Sequence, residues 1–285
     1  MGEIRFNYEG NRFVVVGASS GIGKQIALEL AQAGATVLCL ARRTELIERI
    51  DVKNRRGKIV SAFADVTKIS SGEWDKVLKK FVDEYGKING AVYTAGVAGL
   101  TSIRGLNEKL AQRIMDTSYW GMLRFIQSAN KKRFSEDGSS FVVFSSVTAY
   151  TAYLGLLVYS SAKSAVQTAV KSIAKEISIR RNRINSISPG WLSDTGMTNG
   201  KADTFSNREI LASKILLGEG TADKISGMTL FLLSNRADWI TGTDLVVDGG
   251  MLLSVGGYLN ELQTFYFPIY QRYFGYLAQG TSQLA

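Results

Sequence analysis

Residues 13–23 of the chain read FVVVGASSGIG, and this stretch decides the fold. Four apolar residues, three of them β-branched, are typical of a buried strand, and the glycines that follow allow a sharp turn. Apolar residues then recur at helical spacing at Ile26, Leu30 and Ala31. The sequence therefore predicts that the chain opens with a strand–loop–helix unit whose turn lies at the carboxyl end of the strand.

The same alternation continues along the chain. Further predicted strands are 36–40, 59–64, 90–93, 140–145, 184–188 and 244–247, and predicted helices cover 74–85, about 109–129, 159–178 and 222–233. This pattern predicts an α/β fold, a single-domain Rossmann-like doubly wound parallel sheet with helices on both faces. We assign residues 1–252 to one dinucleotide-binding catalytic domain and residues 253–285 to an aromatic-rich C-terminal extension.

Composition excludes several classes of chemistry. The chain has no histidine and a single cysteine, Cys39. A Ser-His-Asp triad, a Cys-His dyad, every histidine metal site and an internal disulfide framework are therefore excluded, and we expect no metal centre. Cys39 lies in an apolar predicted strand, which favours a buried structural thiol over a nucleophile.

The chain is basic, with 34 Lys and Arg against 25 Asp and Glu, a net charge of +9. The basic residues fall in short, widely separated groups without a nucleic-acid-binding motif, so we expect an anionic cofactor rather than nucleic acid as the partner. No apolar run approaches the length of a membrane span, and the first residues lack an apolar signal core. These features predict a cytoplasmic protein without a transmembrane segment.

Residues 17–23 carry glycines in the spacing Gly-x-x-x-Gly-x-Gly. Glycines at a strand-to-helix turn let the backbone approach a pyrophosphate held at the helix N-terminus, although any sharp turn can need glycine. The position of the loop in the opening strand–loop–helix unit favours dinucleotide binding.

Residues 40–43, which read LARR, end the second predicted strand. An NAD enzyme places an acidic residue near this point to accept from the ribose 2′-hydroxyl, but the chain has Ala41 followed by Arg42 and Arg43. A guanidinium suits a 2′-phosphate; the alternative is a solvated pair at a helix start, where positive charge opposes the helix dipole. We expect NADP(H) in preference to NAD(H).

Tyr159 and Lys163 stand one turn apart at the start of a predicted helix, so both side chains lie on one face. The pKa of free tyrosine, about 10, is too high for general acid–base catalysis at neutral pH. A neighbouring ammonium group is expected to lower that pKa toward a useful range. The spacing is common by chance and does not identify a site alone.

Further motifs stand around this pair in order. Ser145 and Ser146 end the preceding predicted strand, residues 183–190 read RINSISPG, and residues 239–242 (WITG) lead to residues 247–250 (VDGG). With the glycine loop, these motifs resemble the short-chain dehydrogenase/reductase family, in particular 3-oxoacyl-carrier-protein reductases and similar ketoreductases.

The resemblance implies hydride transfer between NADPH and the carbonyl of a small-molecule or carrier-linked substrate, in either direction. Tyr159 would be the general acid/base, Ser146 would stabilise the substrate oxygen, and Lys163 would hold the cofactor ribose. Arg42 would be the main 2′-phosphate ligand, and Asp65 would meet the adenine ring. The expected cofactor-binding residues are Gly17, Ser19, Ser20, Gly21, Ile22, Gly23, Arg42, Arg43, Asp65, Val66, Ala95, Gly96, Tyr159, Lys163, Pro189, Gly190, Leu192 and Thr195. Asp194 is the alternative to Thr195.

The chain departs from the family pattern at three positions. Val16 replaces the threonine that precedes the glycine loop, Thr94 replaces an asparagine after the fourth strand, and Ser118 replaces the asparagine of the proton relay. Serine can still bond a water, so Ser118 is counted among the catalytic residues. These departures leave a second hypothesis open, a redox-inactive NADP-binding sensor or scaffold.

Aromatic residues concentrate between 258 and 276. We expect the extension to pack against a neighbouring subunit or over the substrate cleft; a peripheral membrane foot is the alternative. By resemblance the protein is a homodimer or homotetramer built through two long helices. Substrate identity is expected to lie in residues 97–104, 150–157 and 191–217, whose aliphatic and aromatic content suits an apolar or bulky substrate.

Overall fold

The computed structural model describes residues 4–52, 56–195 and 215–257. Its strands are β1 (Arg12–Val16), β2 (Thr36–Ala41), β3 (Lys58–Phe63), β4 (Ile88–Tyr93), β5 (Ser135–Phe144), β6 (Arg183–Pro189) and β7 (Asp244–Val247). They form one sheet in the order β3-β2-β1-β4-β5-β6-β7, and every neighbouring pair is parallel. The predicted doubly wound fold is confirmed.

The helices of the described residues lie at the positions that the periodicity predicts, with two additions. They are α1 (Gly21–Gln32), α2 (Thr44–Glu48), α3 (Ser71–Tyr85), α4 (Glu108–Met115), α5 (Gly121–Ala129), α6 (Thr148–Thr151), α7 (Leu157–Ile177) and α8 (Ala222–Leu233). Helices α2 and α6 were missed because four or five residues are too few to show a period. The helix predicted over about 109–129 is divided by a π-helical turn, Asp116–Trp120.

Alternate side chains of the central strands enter two separate apolar cores. Val14 and Val16 pack with Trp74 and Phe125 on one face of the sheet, while Phe13 and Val15 belong to the cluster on the other face. Such strands read as continuous apolar runs because both of their faces are covered. Cys39 is buried in the second core, and burial raises the pKa of its thiol, as expected of a structural residue.

The order of winding reverses between β1 and β4. In doubly wound sheets the loops that leave two such strands diverge, and ligands bind in the crevice at their carboxyl ends. The glycine loop follows β1 and Thr94 follows β4, so both stand at this crevice.

The 3₁₀ helix Met251–Gly257 is the last described element, so most of the predicted C-terminal extension lies outside the described residues. Within the described part of the chain, no helix is long and apolar enough to cross a membrane.

Candidate active site

The glycine loop is shaped by close backbone contacts. Gly17 and Gly21 have φ angles of +92° and +52°, a region that side chains disfavour. A Cβ atom at Gly17 would lie 2.5 Å from Thr94 Oγ1, and one at Gly23 would overlap the Gly17 carbonyl oxygen. Ser20, the N-cap residue of α1, makes no capping hydrogen bond with its side chain in the part of the chain that the structure describes. Backbone N–H groups at the N-terminus of a helix that follows a tight turn can bind a pyrophosphate.

Thr94 connects this loop to β4. Its hydroxyl donates to the Val16 carbonyl oxygen at 2.8 Å, and its amide donates to the same oxygen at 2.9 Å. Val16 itself has no hydroxyl to offer. Two of the three departures from the family pattern, Val16 and Thr94, are therefore in direct contact, a relation that the sequence alone did not reveal.

The two arginines after β2 are exposed and point to different neighbours. Arg43 Nη2 lies 3.4 Å from both Ser19 Oγ and Ser20 Oγ in the glycine loop. Burial raises the pKa of Asp65, but hydrogen bonds from Thr67 and the charge of Arg42 outweigh it, so the pKa lies below its usual value. The structure thus places Arg43 beside the loop and Arg42 on the side of Asp65.

The three candidate catalytic side chains beside this crevice converge at the carboxyl end of β5. The Ser146 hydroxyl lies close enough to Tyr159 to act on its pKa, and both residues are buried. Lys163 Nζ lies 5.6 Å from the centre of the Tyr159 ring and donates to the Phe144 carbonyl oxygen at 2.8 Å. Ser145 Oγ also donates to the Lys163 carbonyl oxygen at 3.0 Å, which fastens α7 to the end of the strand.

Burial dominates the titration of the pair. It raises the pKa of Tyr159 above its ordinary value, and the hydrogen bond with Ser146 opposes that rise. Burial also lowers the pKa of Lys163 to about 8. The pKa of Tyr159 is therefore raised and not lowered as expected, because desolvation of the phenol is the largest effect on it.

The Ser146 hydroxyl is oriented by a backbone group that residue patterns do not reveal. The amide of Thr148, in α6, donates to Ser146 Oγ at 3.2 Å. The oxygen of Ser146 accepts this bond, so its own proton remains available for another acceptor. No side-chain signal marks this contact, because the donor is an amide that every residue but proline carries.

Ser118 lies in the π-helical turn that packs against α7. It is 2% exposed, and its hydroxyl has no hydrogen-bond partner among the described residues. A buried hydroxyl left unpaired is costly, and a bound water commonly satisfies one. The role of Ser118 in a proton relay stays a prediction.

The remaining expected cofactor residues surround the same crevice. Thr195 approaches the glycine loop, since a Cβ atom at Gly21 would lie 3.4 Å from its Cβ. Asp194 instead accepts from the Ala222 amide at 3.0 Å and caps α8, which favours Thr195 as the residue facing the cofactor. Leu192 forms a bridge with Gly220. Pro189 ends β6, Gly190 follows it, Val66 follows Asp65, and Ala95 and Gly96 follow Thr94.

The segments expected to bound the substrate are largely apolar where they are described. Thr101 and Leu156 form a bridge that joins two of them, and Ile103 and Leu154 are exposed nearby in the chain. Val147, Ile215 and Met251 form a buried cluster with partly buried hydrophobic neighbours including Tyr153. Residues 196–214 of the third segment lie outside the described residues.

The comparisons with known proteins identify the family of the chain. A family model described as enoyl-(acyl carrier protein) reductase matches residues 17–252. The 3-oxoacyl-[acyl-carrier-protein] reductase of Chlamydia muridarum is 31% identical over 241 residues, covering 84% of this chain and 96% of that protein. The 2-dehydro-3-deoxy-D-gluconate 5-dehydrogenase of Escherichia coli is 28% identical, covering 87% and 97%.

A solved short-chain dehydrogenase/reductase from Mycobacterium ulcerans superposes with a TM-score of 0.79 at 26% identity, over 87% of this chain and 92% of that one. The family match spans most of the chain, and the sheet order is that of the structural relative. The chain belongs to the short-chain dehydrogenase/reductase family of NAD(P)-dependent oxidoreductases that interconvert carbonyls and alcohols.

Proposed function

We propose that this protein is an NADPH-dependent carbonyl reductase in which Tyr159 is the general acid, and the general base in the reverse direction. The observation that carries the proposal is the convergence of three side chains: Lys163 Nζ lies beside the Tyr159 ring, and the Ser146 hydroxyl lies close enough to act on the tyrosine pKa. These groups stand at the carboxyl edge of the sheet, on the same edge as the glycine loop.

The side chains divide the work of reduction. Bound NADPH supplies the hydride that the carbonyl carbon accepts. Ser146 donates its hydroxyl proton in a hydrogen bond to the substrate oxygen, since the Thr148 amide already occupies an oxygen lone pair. Tyr159 transfers its phenolic proton to the same oxygen as negative charge develops there. The phenol is protonated at neutral pH, and the Ser146 hydroxyl opposes the rise in its pKa that burial causes.

Lys163 and Ser118 help to return a proton to Tyr159 after it has protonated the substrate oxygen. A pKa of about 8 lets Lys163 hold and release a proton near neutral pH, and its position beside the tyrosine suits transfer through water or a ribose hydroxyl. The unpaired Ser118 hydroxyl offers a bond to such a water at the back of the site. We expect a slower relay than an asparagine would give.

NADP(H) preference rests on two exposed guanidinium groups at the end of β2. Arg43 lies beside the loop serines, and the charge of Arg42 is felt at Asp65. Two cations at the place where an NAD enzyme uses a carboxylate favour a dianionic 2′-phosphate.

An apolar or acyl-type carbonyl is the substrate class that the described walls favour. Exposed Ile103 and Leu154 and the cluster around Val147 bury apolar surface more readily than they bind sugar hydroxyls. An acyl-type substrate is closer to the 3-oxoacyl group in the name of the Chlamydia reductase than to the sugar acid in the name of the Escherichia coli dehydrogenase.

A homodimer or homotetramer through the long helices remains part of the proposal. Trp120 and Leu157 are 45% and 44% exposed in the π-helical turn and at the start of α7. Large apolar side chains on neighbouring helices suit burial against a second copy.

The test compares wild-type protein with Tyr159→Phe. NADPH oxidation is followed with 3-oxoacyl thioesters, small ketones and keto sugar acids, and NADPH binding is measured separately by fluorescence. The variant should lose roughly 10³-fold in kcat while its NADPH affinity changes little, because general acid catalysis is worth about 10²–10⁴-fold. Unchanged turnover would exclude the mechanism, and NADPH binding without turnover by the wild type would favour the sensor or scaffold hypothesis.

A further inference from the structure

Asp244, at the start of β7, collects hydrogen bonds from side chains of three other elements. Its Oδ2 accepts from Tyr150 OH at 2.7 Å, from Ser188 Oγ at 2.7 Å and from Gln167 Nε2 at 3.1 Å. Its Oδ1 accepts from Ser186 Oγ. All four donors are uncharged, so oriented dipoles rather than a cation stabilise the carboxylate.

The donors differ in how they are held. Ser186 and Ser188 are fully buried in β6, and they fix the carboxylate against the sheet. Tyr150 lies in α6 with its ring 52% exposed, so packing alone does not fix it. Burial and the neighbouring carboxylate raise the pKa of Tyr150 to about 12, which keeps its hydroxyl a donor. Asp244 thus ties a single-turn helix to a rigid strand.

Helix α6 is the element that orients Ser146. The Thr148 amide in α6 donates to Ser146 Oγ, and Ser146 lies close enough to Tyr159 to act on its pKa. A second anchor runs from Ser164 Oγ to the Ala149 carbonyl oxygen at 3.2 Å, which holds the helix to α7. Four residues form too short a helix to be stable alone, so its position depends on such anchors.

We propose that Asp244 is a positioning residue for the reaction: by holding Tyr150 it fixes α6, and through the Thr148 amide it sets the direction of the Ser146 hydroxyl. The inference rests on the proposed reductase function. Asp244 acts through other residues and touches neither substrate nor cofactor. Its effect therefore falls on the alignment of Ser146 and Tyr159 with the substrate oxygen, a step to which about 1 Å of displacement matters.

Three variants test the inference. Tyr150→Phe removes one hydroxyl and keeps the ring, and Asp244→Asn keeps the shape of the side chain but not its charge. Tyr85→Phe is the matched control, because Tyr85 OH also takes part in a 2.7 Å hydrogen bond, which it accepts from Lys58 Nζ far along the sheet from this site. Steady-state kcat and the KM values of ketone and NADPH are measured together with NADPH binding.

Tyr150→Phe and Asp244→Asn should each lower kcat by about tenfold while the KM for NADPH stays within about twofold, since the cofactor loop is untouched. The double variant should lose little more than either single one, as expected for one connected contact. Tyr85→Phe should leave all parameters unchanged.

A Tyr150→Phe variant with wild-type kcat overturns the inference, even if Asp244→Asn does not fold. So does a double variant whose losses multiply, or a rise in the KM for NADPH that parallels the fall in kcat. The proposed function is judged separately: if Tyr159→Phe abolishes turnover and Tyr150→Phe does not change it, the reductase stands and the role of Asp244 fails. If the wild-type protein turns over no carbonyl substrate, both fail.

Discussion

The two sides of the crevice are held in different ways. The cofactor side, from β1 through the glycine loop to Thr94, depends on positive φ angles and on space that a Cβ atom would fill. The reactive side, from the end of β5 through α6 to α7, depends on polar atoms that bond one another. One side therefore requires that side-chain atoms be absent, and the other requires that particular side-chain atoms be present.

This difference explains why the substitutions relative to the family pattern have different consequences on the two sides. On the cofactor side Thr94 donates to the Val16 carbonyl oxygen, so a hydroxyl still links the loop to β4. On the reactive side Ser118 leaves a buried hydroxyl without a partner among the described residues. A site whose shape depends on the backbone tolerates substitution of the surrounding side chains. In a site that depends on hydrogen bonds between side chains, a substitution leaves a polar group without a partner.

The largest effect on the cofactor side is expected from Gly23→Ala. The new Cβ would overlap the Gly17 carbonyl oxygen, a backbone atom that cannot move without displacing the turn. We expect NADPH affinity to fall by at least about 100-fold and the free energy of unfolding to fall by about 1–3 kcal/mol. Fluorescence titration and denaturant unfolding measure the two quantities.

Gly227→Ala is the matched control. Gly227 is an exposed interior residue of α8, and a Cβ there meets nothing within 4 Å. The same exchange should stabilise the protein by about 0.5–1 kcal/mol and leave NADPH affinity unchanged. Equal NADPH affinity of Gly23→Ala and wild type would show that the close approach at the loop is not needed for binding.

The same difference decides what could be predicted from the sequence. The strand–loop–helix unit, the sheet class and the Tyr159–Lys163 pair follow from short-range patterns, because glycine spacing and apolar periodicity are local. The Thr94–Val16 bond and the Thr148 amide could not be predicted, since they join residues through parallel pairing or through a backbone donor.

The direction of the pKa shift of Tyr159 also could not be predicted from the sequence. A one-turn spacing of Tyr159 and Lys163 shows that the charge is near, but it does not show that both groups are buried. Desolvation depends on every element packed around the pair, so its magnitude is a property of the fold.

The second largest effect concerns cofactor choice. Arg42→Ala should raise the KM for NADPH by about 10- to 50-fold and change the KM for NADH by less than about twofold, because a guanidinium bonds the 2′-phosphate and not the hydroxyl. Arg43→Ala is the matched comparison, since Arg43 instead lies beside Ser19 and Ser20. A larger loss of NADPH specificity in Arg43→Ala would make Arg43 the principal phosphate ligand.

The smallest effect is expected from Thr94→Val. The substitution removes the hydroxyl bond to the Val16 carbonyl oxygen, but the residue 94 amide still donates to that oxygen. One lost hydrogen bond is worth about 1 kcal/mol, so the KM for NADPH should rise by about fivefold with little change in kcat. Thr94→Ser keeps the hydroxyl and should restore most of the affinity. If Thr94→Ser binds NADPH as weakly as Thr94→Val, then the hydroxyl alone does not support the loop and the methyl group is needed as well, and the two sides of the crevice differ less than their contacts indicate.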